Sequence, residues 1–256
     1  RARAAGIWMA GLDAGGNLKG AIHRYGENGQ ADFQPGVLDP NTGSPSGHLT
    51  GIYRVTKADI LEHPADFGDN GVIDNPNPRV FGWAGKWNVH FANYNNGETL
   101  PETSQGLAPF FDYNGDAVYD PNAGDYPLLD LRGCAEVEPF MSIIPDEMLW
   151  FAFNDNLLHT ESGMQPMQVE IQCTVFGFNC QESPLGNSVF VHYKIINRAT
   201  ESLDSAYFGL FADFDIGNPD DDFMGSDAGR SLVFGYNGDA DDEGGFGTDI
   251  PVMAID

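Results

Sequence analysis

In residues 167–175, Val169, Ile171, Cys173 and Val175 alternate with Gln168, Glu170, Gln172 and Thr174. A side-chain period of two belongs to a strand with one buried and one wet face, and a helix does not produce it. Residues 188–197 repeat the pattern, with Val189, Val191, Tyr193 and Ile195 between Phe190, His192, Lys194 and Ile196. Residues 147–153, 206–215 and 231–236 read as further strands, and 6–12 with 18–25 as a hairpin around 13–17. Glycine (32 residues) and proline (16) supply turns and leave little room for helix. One short helix is expected over 56–62, capped by Thr56, with Asp59 at the capping-box position and His63-Pro64 as its end. The expected class is all-β: an antiparallel β-sandwich with long calcium-binding loops and one or two short helices. It is read as one domain over 1–256, with a subdivision near 100–130.

The charge balance narrows the partners. The chain has 38 acidic and 12 basic residues, a net charge of -26. Nucleic acid and anionic membrane surfaces are both disfavoured, since each needs Lys and Arg to meet phosphate. No run approaches the ~18 apolar residues of a membrane helix, so no membrane insertion is expected. Residues 1–6 (RARAAG) lack the apolar core of a signal peptide, and the chain reads as a mature or excised part of a longer exported protein.

The acids are not evenly spread. Residues 110–127 read FFDYNGDAVYDPNAGDYP, with Asp112, Asn114, Asp116, Val118 and Asp120 at relative positions 1, 3, 5, 7 and 9, and Asp125 beyond them. Alternate oxygen donors on a tight loop suit calcium (Ca2+), which takes six to eight hard oxygen ligands. The match to an EF-hand loop is partial: Ala117 stands where its glycine belongs and Ala123 where its closing glutamate belongs. Asp125 would have to close the cage. The plainer reading is a polar turn rich in Asp, Asn and Gly. A second set, Asp213, Asp215, Asp220, Asp221, Asp222 and Asp227, follows the strand at 206–215. Over 213–249 there are ten Asp and one Glu against Arg230 alone. Such crowding raises each carboxyl's pKa unless a cation intervenes, so a second calcium is expected there. The alternative is a solvated acidic loop. A third cluster, Asp66, Asp69, Asn70 and Asp74, is less regular and is read as plain loop.

Three cysteines, Cys134, Cys173 and Cys180, leave one unpaired in any scheme. Cys173 and Cys180 can bridge only if the chain turns at Gly177 or Asn179, because seven residues of straight strand span roughly 23 Å. No CxxC or Cys/His cluster points to zinc. Catalytic signatures such as HExxH, GxSxG and the P-loop are absent, and the six histidines are dispersed, so the chain is not expected to be an enzyme. Trp83, Trp87 and Tyr94 could stack on a sugar, although Trp83 and Trp87 read more simply as core.

Several stretches in a fixed order carry a resemblance: 7–16 (IWMAGLDAGG), 32–38 (DFQPGVL), 108–127, 153–155 (FND), 193–197 (YKIIN) and 208–227. Together they resemble the ectodomain core of large, uncharacterised proteins exported by the bacterial type IX secretion system. The resemblance implies a secreted or cell-surface location and no particular reaction. Ser226 stands where the family often has cysteine. It also implies that Ser205, in Asp204-Ser205-Ala206, fits an O-glycosylation pattern of such bacteria, although Ser205 reads equally as a turn residue. The expected function is a calcium-stabilised structural surface protein that assembles with its own copies or with other surface proteins. The alternative is a calcium-dependent carbohydrate-binding module whose partner is a glycan.

Overall fold

The structure, a computed structural model, describes residues 2–103, 105–131, 143–180 and 183–256. The chain opens with β1 (Ala2–Leu12), β2 (Leu18–Ile22), β3 (Gln34–Pro35) and β4 (Tyr53–Thr56). Three helices follow: α1 (Lys57–Asn70), α2 (Pro78–Phe81) and α3 (Phe91–Tyr94). Two short strands, β5 (Phe110–Phe111) and β6 (Tyr126–Pro127), then bracket the first acidic loop. The longer strands are β7 (Glu147–Asn154), β8 (Val169–Gly177), β9 (Val189–Asn197) and β10 (Asp204–Phe214). The chain ends in β11 (Asp222–Asp227), β12 (Leu232–Asn237) and β13 (Met253–Ile255). Every ladder between these strands is antiparallel, and the protein is mostly β with few, mainly short helices.

Instead of one domain with a division near 100–130, the chain forms two interleaved compact units. The first comprises Arg1–Phe33, Leu157–Met167 and Glu201–Asp256, and the second Gln34–Asn156 and Gln168–Thr200. Strand pairing explains the interleaving. β1 finds its partner in β10, far along the sequence, whereas β7, β8 and β9 pair with their neighbours in the chain.

The second unit holds a sheet in the order β3-β7-β8-β9, with β4 also on β7, and the small β5–β6 pair. Its core gathers Trp83, Trp150, Tyr119, Phe91, Tyr53 and Met148. Trp83 is fully buried and donates its indole N–H to the Pro109 carbonyl at 2.9 Å. Trp87 is not core: it is 45 % exposed and holds a left-handed φ of 61°.

The alternation in β8 marks a strand, but not a wet face. Glu170, Gln172 and Thr174 are buried as fully as Val169 and Ile171. Other segments cover this polar face. The Leu38 N–H donates to Glu170, Gln172 donates to the Gly106 carbonyl, and Arg198 forms an ion pair with Glu170 at 2.9 Å.

α1 runs eight residues beyond the expected end and passes through Pro64. The expected capping box is present: the Asp59 N–H donates to the Thr56 hydroxyl, and the Thr56 N–H to the Asp59 carboxylate. The helix stops where Gly71 turns left-handed at φ 79° and its N–H caps the Phe67 carbonyl. Burial of Ile60 and His63 on one face carries the helix past a residue that usually ends one.

The Cys173–Cys180 disulfide does not form; both are free thiols. Cys173 lies mid-strand in β8 between Phe151 and Tyr193, and β8 continues straight to Gly177, so the turn that a bridge needs is missing. Cys134 lies outside the described residues.

The first unit holds two sheets, β10-β1-β2 and β11-β12-β13. Ile7, Met9 and Ala21 are buried on one face of the first sheet. β10, at its edge, is exposed over Asp204–Leu210. No helix among the described residues is long and apolar enough to cross a membrane.

Candidate functional site

The acidic loop between β5 and β6 is built from its own carboxylates. Asp112 accepts the N–H groups of Gly115 at 2.7 Å and Ala117 at 2.8 Å, so one side chain wraps the first turn. Asn114 accepts from the Asp116 N–H, and Asp116 accepts from the Val118 N–H. Asp120 caps the next turn through the Asn122 N–H. Asp125 is fully buried and takes the N–H groups of Tyr113 and Asp120 at 2.8 and 2.9 Å. Burial pushes the Asp125 carboxyl up. The N–H bonds from Asp120 and Tyr113 oppose that rise, and the nearby charges of Asp112 and Asp116 add to it.

α1 buttresses this loop. The His63 Nε2–H donates to the Pro121 carbonyl at 3.0 Å, and the Phe67 ring meets Tyr113 edge-on at 5.1 Å. A side chain on Gly124, which has φ 96°, would run into the Phe67 ring, so only glycine lets the loop settle on the helix. Asp112, Asn114, Asp116, Val118, Asp120 and Asp125 therefore occupy one compact loop, with their backbone donors satisfied internally.

The second set divides. Asp213 sits in β10 opposite Ala4, and Asp215 follows that strand. Asp220 lies in the exposed turn before β11. Asp222 opens β11 and accepts the Ile216 N–H at 2.8 Å. Asp227 closes β11, about 17 Å along the strand at its usual rise, and forms an ion pair with Arg230 at 3.4 Å. One ion cannot serve all six. Asp221 instead joins Asp239 and Glu243, their ligand oxygens all within 4.8 Å of one another. Neither partner was among the expected ligands; the only sequence signal was the acid-rich DADDE at 239–243.

The same geometry gathers the cluster expected to be plain loop. Oxygens of Asp66, Asp69 and Asp74 also lie within 4.8 Å of one another. Asp66 and Asp69 sit one turn apart on the extended α1, and Asp74 returns just beyond it.

Asp242 holds the loop that carries Glu243. Its buried carboxylate accepts the Asn218 N–H at 2.8 Å and the Phe246 N–H at 2.6 Å. Gly217 and Gly245 lie against it, and a Cβ at either position would fall on the carboxylate. Ser205 is exposed at a bulge where β10 slips against β1. Compared with known proteins, the chain matches no family model, no curated protein and no solved structure.

Proposed function

We propose that this chain is a structural module of an extracellular surface protein, stabilised by calcium and assembled with its own copies through β10. One observation carries the reading: a long edge strand presents apolar side chains on both faces. Tyr207 is 74 % exposed, and Phe208 and Leu210 are more than half exposed. Soluble proteins normally shorten or charge such an edge, because it is a template for strand addition.

A second copy is the fitting occupant. Residues 205–212 of β10 carry no charge, and its acids lie at Asp204 and Asp213. An antiparallel pair centred on Gly209 sets Asp204 against Phe214 and Asp213 against Ser205, so no two carboxylates meet. Tyr207 then faces Phe211, and Phe208 faces Leu210, the aromatic and aliphatic cross-strand pairs that stabilise sheets. Such an interface is two-fold and closes on itself. Calcium in the 112–125 loop, held by Asp112, Asn114, Asp116, Asp120 and Asp125 with the Val118 carbonyl, fits a module exposed to millimolar calcium. In the first unit Phe214 packs on Gly235 of β12, a contact that suits a two-layer sandwich. The location rests on the type IX resemblance and the acidic balance.

Light scattering of the purified chain with calcium and with EGTA tests the assembly. Dimers that Phe208→Lys with Leu210→Lys converts to monomers support it. Monodisperse monomers in both solutions at about 100 μM, a concentration at which a micromolar interface would be filled, would end it.

A second reading, a carbohydrate-binding module, draws on Trp87 and Tyr94, which are 45 and 40 % exposed. Retention on a glycan array that Trp87→Ala abolishes would favour it.

A further inference from the structure

The pair β11–β12 brings together oxygens that nothing within the protein satisfies. Asp221 Oδ1, Asp222 Oδ1 and Asn237 Oδ1 are each buried and have no hydrogen-bond partner. Asn237 is 8 % exposed, yet its acceptor oxygen is idle. A buried polar atom without a partner costs about 1–3 kcal/mol, so three beside one another require an explanation. They are adjacent by register: Asp222 stands opposite Asn237, and the Gly238 N–H donates to the Asp221 carbonyl at 2.8 Å. Beside them lies the carboxylate trio of Asp221, Asp239 and Glu243.

We infer that one divalent, oxygen-seeking cation, calcium foremost, binds between Asp221, Asp239 and Glu243, with the Asn237 carboxamide as a further donor. The spacing fits. Oxygens about 2.3–2.6 Å from a common calcium lie at most about 5 Å apart, and these lie within 4.8 Å of one another. The donors are all oxygen, which suits calcium over zinc or copper. The Asn237 Nδ2 stands 3.4 Å from Asp239 Oδ1. Turning that amide exchanges its nitrogen and oxygen and aims Oδ1 at the same point. Two facing oxygens repel without a cation and become co-ligands with one. The frame is already set, because Asp242 pins the loop on either side of Glu243. A Cβ at Gly238 would strike the Phe223 ring, so only glycine lets the chain leave β12 toward Asp239.

The site deepens the calcium-stabilised scaffold proposed above and shares with it the choice of ion. Hydrogen exchange of the whole chain, with and without calcium, reads it directly. Calcium is expected to slow exchange across residues 220–243, half-maximally near about 10⁻⁴–10⁻³ M, the range of extracellular modules. Asp239→Asn with Glu243→Gln should weaken that response at least about tenfold, since even residues behind the ligands are worth that much. Asp112→Asn with Asp116→Asn should leave it intact. Unchanged exchange across 220–243 at 10 mM calcium overturns the site, as does a double variant that responds like the unmodified chain. If the double variant fails to fold, the unmodified chain decides alone. A response confined to 112–125 would uphold the scaffold and reject this site. A response at 220–243 without assembly would do the reverse.

Discussion

Asp59 shows how much one carboxylate can organise. Burial alone would raise its pKa, but bonds from Asn77, Thr56 and Arg79 outweigh it and pull the carboxyl down to about 2. A depressed folded pKa stabilises above the unfolded value of about 3.9, and that stability is lost as pH falls toward about 2. Asp59 should therefore contribute about 2 kcal/mol near neutrality. Urea melts of Asp59→Asn and the unmodified chain should differ at pH 6 and converge near pH 2. His63 has the same sign. Burial lowers its pKa despite the bond to Pro121, so its contribution is full above about pH 6.5 and fades as acid forces the ring to charge. At Gly217, φ is 69° and a methyl would fall on the Asp242 carboxylate. Gly217→Ala is expected to cost at least about 2 kcal/mol, read as a drop in melting temperature. The Thr56–Asp59 box was legible in the sequence because its partners are three residues apart. Asp242 was not, because its partners Asn218 and Gly217 lie a whole β-hairpin away.

β8 is the clearest case at the scale of the element. Its alternation identified a strand, since the pleat alone fixes that period. Whether the polar face is wet depends on what lies over it, and the Leu38 and Gly106 segments are remote in sequence. The cover leaves Glu170 fully buried, with Arg198 as its counter-charge. Arg198→Met should cost about 3–5 kcal/mol, because it strands a buried carboxylate. Adding Glu170→Gln to it should recover a large part, since the stranded charge is then gone. A double-mutant cycle by chemical denaturation measures that coupling. α1 teaches a similar lesson. Pro64 read as a stop, yet the helix passes it, because the buried Ile60–His63 face and the contacts of Phe67 with the acidic loop lie beyond what local propensity records.

For the whole molecule, a net charge of -26 sets the response to ions. Screening and specific binding separate by concentration. Sodium chloride should raise the melting temperature only as it shortens the Debye length, over about 0.01–0.15 M. Calcium near 1 mM adds almost nothing to screening, so a further rise of several degrees at that level would report sites, and EGTA should remove it. Strand content was legible from the sequence; the two interleaved units were not, since nothing local to β1 names β10 as its neighbour.

The β1–β10 ladder carries a consequence for delivery. Trp8 and Met9 wait for Gly209 and Phe208, so most of the chain must emerge before the first strand can pair. A machine that releases this protein amino end first hands out a bare, aromatic ribbon with no sheet to join. Timing of release, or a chaperone on that ribbon, then governs yield more than final stability does.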